Sequence, residues 1–83
     1  MPLYMDIHDK LRSVTPEAIA EAHRQDLAVQ DKHGVKYLKY WLNKDSGRLV
    51  CLVEAPSKEA AFAVHYESHG MLPNEIWEVD EGP

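Results

Sequence analysis

A chain of 83 residues with nine Lys and Arg against fourteen Asp and Glu makes one thin-cored domain and excludes a second. Its net charge of −5, with the basic residues scattered, excludes a nucleic-acid surface, which needs clustered cations to release counterions. The same balance disfavours anionic membranes and favours cations. Cys51 is the only cysteine, so no internal disulfide exists, and a core this small calls for a metal, a partner subunit or both. A lone cysteine fits a reducing compartment. MPLYMDIHDK has no basic leader, and no run reaches the roughly 20 apolar residues that span a bilayer. The expected location is the cytoplasm, with no membrane partner.

Leu3-Tyr4-Met5-Asp6-Ile7-His8 alternates and predicts a half-buried strand, with Leu3, Met5 and Ile7 on one face and Tyr4, Asp6 and His8 on the other. Thr15-Pro16-Glu17 then opens a helix. Thr15 suits the N-cap, Pro16 the first turn where its missing N–H costs nothing, and Glu17 the positive end of the dipole. The helix should run to about His33 and stop at Gly34. Ala18, Ile19, Ala22 and Val29 share a face at helical spacing, with Asp26 and His33 in its middle and His23 and Gln30 at its margin.

VKYLKYWL (35–42) and RLVCLVE (48–54) read as two strands of a hairpin joined by Asn43-Lys44-Asp45-Ser46-Gly47. Ser57 suits the N-cap of a second helix ending at His69, before Gly70. EIWEVD (75–80) is a last short strand. The order β-α-β-β-α-β predicts an α+β ferredoxin-like sandwich spanning residues 1–83. Its four-stranded antiparallel sheet carries two helices on one face, with the third strand between first and second and the fourth outside the first. The second strand puts Tyr37 and Trp41 on one side and Leu38, Tyr40 and Leu42 on the other. The uncovered sheet face is then apolar enough to predict a homodimer.

Topology also gathers titratable groups. His8 ends the first strand, His65 and His69 stand one turn apart on the second helix, and Glu75 starts the fourth strand. With Asp6 two residues before His8, the predicted metal ligands are Asp6, His8, His65, His69 and Glu75. If Leu3, Met5 and Ile7 face the helices, however, Asp6 and His8 face the dimer side, and the two pairs meet only at the sheet's rim or form separate sites. A solvated helix face explains His65 and His69 as simply as ligation does. His23 and Asp26 fit either the site or a buried hydrogen bond, whereas His33 fits the latter. Cys51 fits a small buried hydrophobe or a thiolate ligand.

Imidazole with carboxylate suits Ni, Zn, Cu or Fe and disfavours Ca and Mg. No CxxC spacing exists, which excludes a zinc finger. HYESH (65–69) is not a metalloprotease helix, because Tyr66 stands where the Glu must be. No phosphate loop, dinucleotide fingerprint or activated serine is signalled.

The phrases MPLYMDIH, AEAHRQDLAVQDKHGVKYLKYW, CLVEAPSKEAAFAVH and EIWEV together resemble a family of small bacterial proteins built on a domain of unknown function. That family includes a nickel-binding member with a ferredoxin-like fold that forms dimers. The resemblance spans Leu3 to Val79 and implies nickel as the metal, while the ligand types keep zinc and copper as alternatives; it carries no ligand set across. Similar domains also occur attached to larger signalling proteins. Three readings follow. One is metal buffering, storage or sensing without turnover. Another is a small-molecule enzyme of the dimeric ferredoxin-like type, with Asp6, His8 or His23 as acid or base and a pocket lined by Tyr40, Trp41 or Trp77. The third is a plain dimeric interaction module.

Overall fold

In the computed structural model, which describes Met1–Pro83, the strands are β1 (Leu3–His8), β2 (Lys36–Asn43), β3 (Arg48–Glu54) and β4 (Glu75–Val79), and the helices are α1 (Pro16–Val29) and α2 (Lys58–Ser68). Local chemistry sets the helix ends as expected. The Thr15 hydroxyl accepts from the Ala18 N–H at 3.1 Å, and the Ser57 hydroxyl from the Ala60 N–H at 3.2 Å, each satisfying an orphan donor of the first turn. After Val29 the helix tightens into a 3₁₀ turn, Gln30–His33, and Gly34 ends it with a left-handed φ of 67°.

The sheet order is β2-β3-β1-β4, and every neighbouring pair is antiparallel. This is the predicted ferredoxin-like α+β arrangement, with β3 and β1 in the centre. The core lies between sheet and helices and contains Tyr4, Ile19, Val35, Tyr37, Leu49, Cys51, Val53, Ala55, Ala61 and Val64. No helix is long and apolar enough to cross a membrane.

Two strand faces differ from the expected ones. In β1 the polar side turns inward. Tyr4, Asp6 and His8 oppose Val53, Cys51 and Leu49 of β3, and Asp6 is 0 % exposed. Leu3 and Met5 lie on the outer face. The alternation holds, but the helices cover the polar set, because α2 and β2 supply hydrogen-bond partners that offset its burial. The separation of Asp6 and His8 from the helix histidines, anticipated for the opposite orientation, therefore does not arise.

In β2 the ladder passes from Tyr37↔Val53 to Lys39↔Leu52, leaving Leu38 as an extra, unpaired residue. Such a bulge reverses the alternation beyond it. Tyr37, Tyr40 and Leu42 all face inward, while Trp41, expected beside Tyr37, points outward and is half exposed.

The hairpin turn does more than reverse the chain. Gly47 has φ 72°, and its carbonyl accepts from the Leu11 N–H at 2.8 Å. A Cβ there would sit 2.5 Å from the Arg12 nitrogen. Glycine is required twice over, for conformation and for the close approach that anchors the loop leading into α1.

Candidate metal centre

Three elements aim side chains at one interior point. β1 contributes Asp6 and His8 at strand spacing, β3 places Cys51 directly opposite Asp6, and α2 lowers His65 onto both. Asp6 Oδ2 accepts from the Tyr37 hydroxyl at 2.7 Å and from His65 Nε2 at 3.0 Å. The other carboxylate oxygen, Oδ1, lies 3.2 Å from His8 Nε2. That approach does not make a hydrogen bond, and both atoms are buried without a partner. Unpaired buried polar atoms are costly and call for an explanation.

The opposite edge of the His65 ring meets a second acid. His65 Nδ1 is 2.9 Å from Asp26 Oδ1, on α1, and the same oxygen takes the Ser68 hydroxyl at 2.8 Å and His69 Nε2 at 2.9 Å. His69 Nδ1 accepts the Met71 N–H at 3.0 Å, which puts the proton of the neutral ring on Nε2. His65 has a carboxylate at each nitrogen and is thereby assigned as an imidazolium donating both protons.

Electrostatics follow this arrangement. Burial alone would push the His65 imidazolium down, but Asp26 and Asp6 outweigh it and raise its pKa to about 9. Burial would raise Asp26, yet bonds from His65 and His69 hold it at about 2. Asp6 is held below the ordinary carboxylate range against its own desolvation, by the hydrogen bond and charge of His65 and by the Tyr37 hydroxyl. Burial, reinforced by the nearby Asp6 charge, pushes the Tyr37 phenol and the Cys51 thiol upward.

Two ligand sets result. The ligand atoms of Asp6, His8, Cys51 and His65 all lie within 4.8 Å of one another, as do those of Asp26, His65 and His69. A cavity of about 20 Å³ touches both sets and is lined by His8, His23, Asp26, Cys51, His65 and His69 among others. That is room for one water-sized occupant. Imidazole, carboxylate and thiol together fit a borderline transition metal and not Ca²⁺ or Mg²⁺.

Of the five predicted ligands, Asp6, His8, His65 and His69 come together. Glu75 does not. It pairs with Ile7, shares the outer face of the sheet, and approaches Arg48 at 3.8 Å. The fourth strand does start beside the end of β1, but its parity points Glu75 away from the helices. Asp26 and Cys51, left open by the sequence, both join the cluster. His23 is partly buried on the cavity wall, its ring 5.1 Å from that of Tyr40, and desolvation lowers its pKa. His33 stands apart, 3.6 Å from Glu67, which also pairs with Lys32. Tyr37 went unrecognised as a partner of the site, because its inward orientation depends on the bulge at Leu38.

Comparison with known proteins agrees with this fold. The crystal structure described as that of SCO4226 from Streptomyces coelicolor A3(2) superposes with a TM-score of 0.89 at 36% sequence identity, covering 98% of this chain and 99% of that one. Among curated proteins, none matches the chain. The family model described as "Nickel responsive protein SCO4226-like" matches residues 4–79, nearly the whole domain, and the chain therefore belongs to the SCO4226-like family of nickel-responsive proteins.

Proposed function

We propose that the protein binds a transition-metal ion, nickel first and zinc or copper second, through Asp6, His8 and His65, for buffering, storage or sensing rather than turnover. The observation that carries this reading is the pair of unpartnered atoms, Asp6 Oδ1 and His8 Nε2, 3.2 Å apart. A cation between them, with His65 turning a nitrogen and Cys51 its sulfur toward it, satisfies both. Such ions are bound by neutral imidazole and ionised acid, so binding releases protons from His65. The family's description as nickel-responsive is why nickel stands first.

The size of the cavity speaks against the enzymatic reading. About 20 Å³ admits an ion or a water, far below the ~300 Å³ of an ordinary ligand pocket. Trp41 and Trp77, candidates for the lining of a substrate pocket, are half exposed on the outer sheet face. There they join Leu3, Met5, Leu52 and Val79, all placed on that face by the strand register. This face is the proposed homodimer surface, since large exposed apolar patches mark interfaces. Because the cluster lies on the helix side, each protomer of such a dimer would hold its own complete site. A reducing cytoplasm, which keeps Cys51 a thiol, suits the same reading.

Calorimetric titration of chelator-stripped protein with Ni²⁺, Zn²⁺ and Cu²⁺, alongside a His65→Ala/His69→Ala variant, tests the proposal. Saturable binding that the variant loses is expected. No binding, or equal binding by both proteins, would contradict it.

A further inference from the structure

We propose that copies of this chain associate head to tail, the β4 edge of one sheet adding to the β2 edge of the next; this contact is independent of the metal-binding reading. β2 and β4 are the two edges of the sheet. Each presents backbone groups with no strand beyond it, a template for pairing with another chain. Their charges are opposite. Residues 36–48 carry Lys36, Lys39, Lys44 and Arg48 against Asp45 alone, whereas residues 75–83 carry Glu75, Glu78, Asp80 and Glu81 and no base. The Lys and Arg side chains held in ion pairs within the chain are Arg24, Lys32 and Arg48, which leaves Lys36, Lys39 and Lys44 free for an outside acid. Lysines on an edge strand ordinarily deter pairing. Here they deter a second β2, as the acids of β4 deter a second β4, and unlike charges meet only when β2 pairs with β4.

Strand direction, length and parity fit the same pairing. β2 and β1 are both antiparallel to β3, and β4 is antiparallel to β1. The β4 strand therefore meets the β2 strand of a copy in the same orientation antiparallel, with all helices left on one side. Beyond the bulge at Leu38, Lys39–Asn43 is a regular run of five residues, and β4 is also five residues long. Laid together, Trp41 falls opposite Trp77 on the outer face and Leu42 opposite Ile76 on the inner one. The two tryptophans are 50 % and 57 % exposed in the single chain, and Leu42 and Ile76 are only partly buried against the core. Cross-strand pairs of this kind are the units that stabilise a sheet. Lys39, whose Nζ stands 5.9 Å from the Trp41 ring, falls opposite Val79, with the acids Asp80 and Glu81 next in the chain. Unlike the two-fold pairing of outer faces, this contact is heterologous, so it extends from copy to copy past the dimer.

Sedimentation velocity of the chain over a concentration series provides the test. It is run in about 0.01 M and about 1 M salt, where the screening length is about 30 Å and about 3 Å. Species heavier than a dimer that grow with concentration in low salt and vanish in high salt are expected. Lys36→Glu/Lys39→Glu should abolish them, and adding Glu78→Lys/Glu81→Lys to the same chain should restore them, a rescue that a folding defect would not show. A wild type that never exceeds a dimer overturns the proposal. So do heavy species that persist in 1 M salt or in the lysine variant, and so does a failed rescue. The register has its own check, because Asn43 falls opposite Glu75. Under oxidation Asn43→Cys/Glu75→Cys should give a ladder of disulfide-linked species; a product that stops at the dimer means a closed two-fold contact and overturns the head-to-tail arrangement.

Discussion

Raising the pH of the metal-free protein should erode its stability well before lysines titrate. The cause is the chain Asp6–His65–Asp26, in which a buried imidazolium sits between two acids. Its folded pKa of about 9 lies above the ordinary 6.5. A group whose pKa is raised by folding stabilises fully below its unfolded value, and that contribution disappears as pH climbs through the folded one. The window is therefore 6.5 to about 9. At about 1.4 kcal/mol per pH unit, the contribution at stake is on the order of 3 kcal/mol. For a domain of this length that corresponds to roughly 10–20 °C in Tm.

The assay is thermal unfolding by circular dichroism in the presence of chelator, stepped through this window. Beyond it, Cys51 and Tyr37 add to the loss, because both are held protonated in the fold and ionise more readily once unfolded. Asp26→Asn removes one of the two acids, so its decline should start at the same pH but be smaller and end at lower pH. A wild-type Tm that stays level from pH 6.5 to 9 would falsify the assignment of His65 as a buried imidazolium.

Other consequences are more local. Gly47→Ala meets the Arg12 backbone nitrogen at 2.5 Å as well as an unfavourable φ, whereas Gly34→Ala meets nothing within 4 Å. Chemical denaturation should show about 2 kcal/mol or more lost at Gly47 and about 1 kcal/mol at Gly34; equal losses would contradict the packing of the hairpin turn on Leu11 and Arg12. Thr15→Ala should cost about 1 kcal/mol through loss of the α1 cap, measured in the same way. Trp41→Asp should shift sedimentation from dimer to monomer while the metal bound per chain stays constant. A parallel loss of metal would mean that the centre is shared across the interface after all.

Much of this architecture was legible in the sequence because its signals are local. Thr15-Pro16-Glu17, Ser57, Gly34, Gly47 and Gly70 act within a turn or two of themselves, and the β-α-β-β-α-β order then leaves few topologies. The direction in which β1 faces was not legible. Leu3, Met5 and Ile7 look like the buried set by hydrophobicity, but a sheet with an apolar outer face has two sides on which apolar residues can lie. Only the contacts of Asp6 with Tyr37 and His65, which join residues 31 and 59 positions apart, select the polar side as the inner one. Helical spacing identified His65 and His69, and the mid-face position of Asp26 signalled a buried acid in need of a partner. Cys51 and Glu75 required the register of the sheet. One residue of slip exchanges inner for outer, and that parity puts Cys51 into the cluster and Glu75 on the far side.

The most direct test of the central claim is crystallography of the nickel-loaded protein, with anomalous data collected at the nickel edge. The account predicts a peak inside each protomer, between the β1 carboxylate of Asp6 and the rings of His8 and His65. Nickel found solely at surface groups, with Asp6 and His8 left as they stand here, would contradict it.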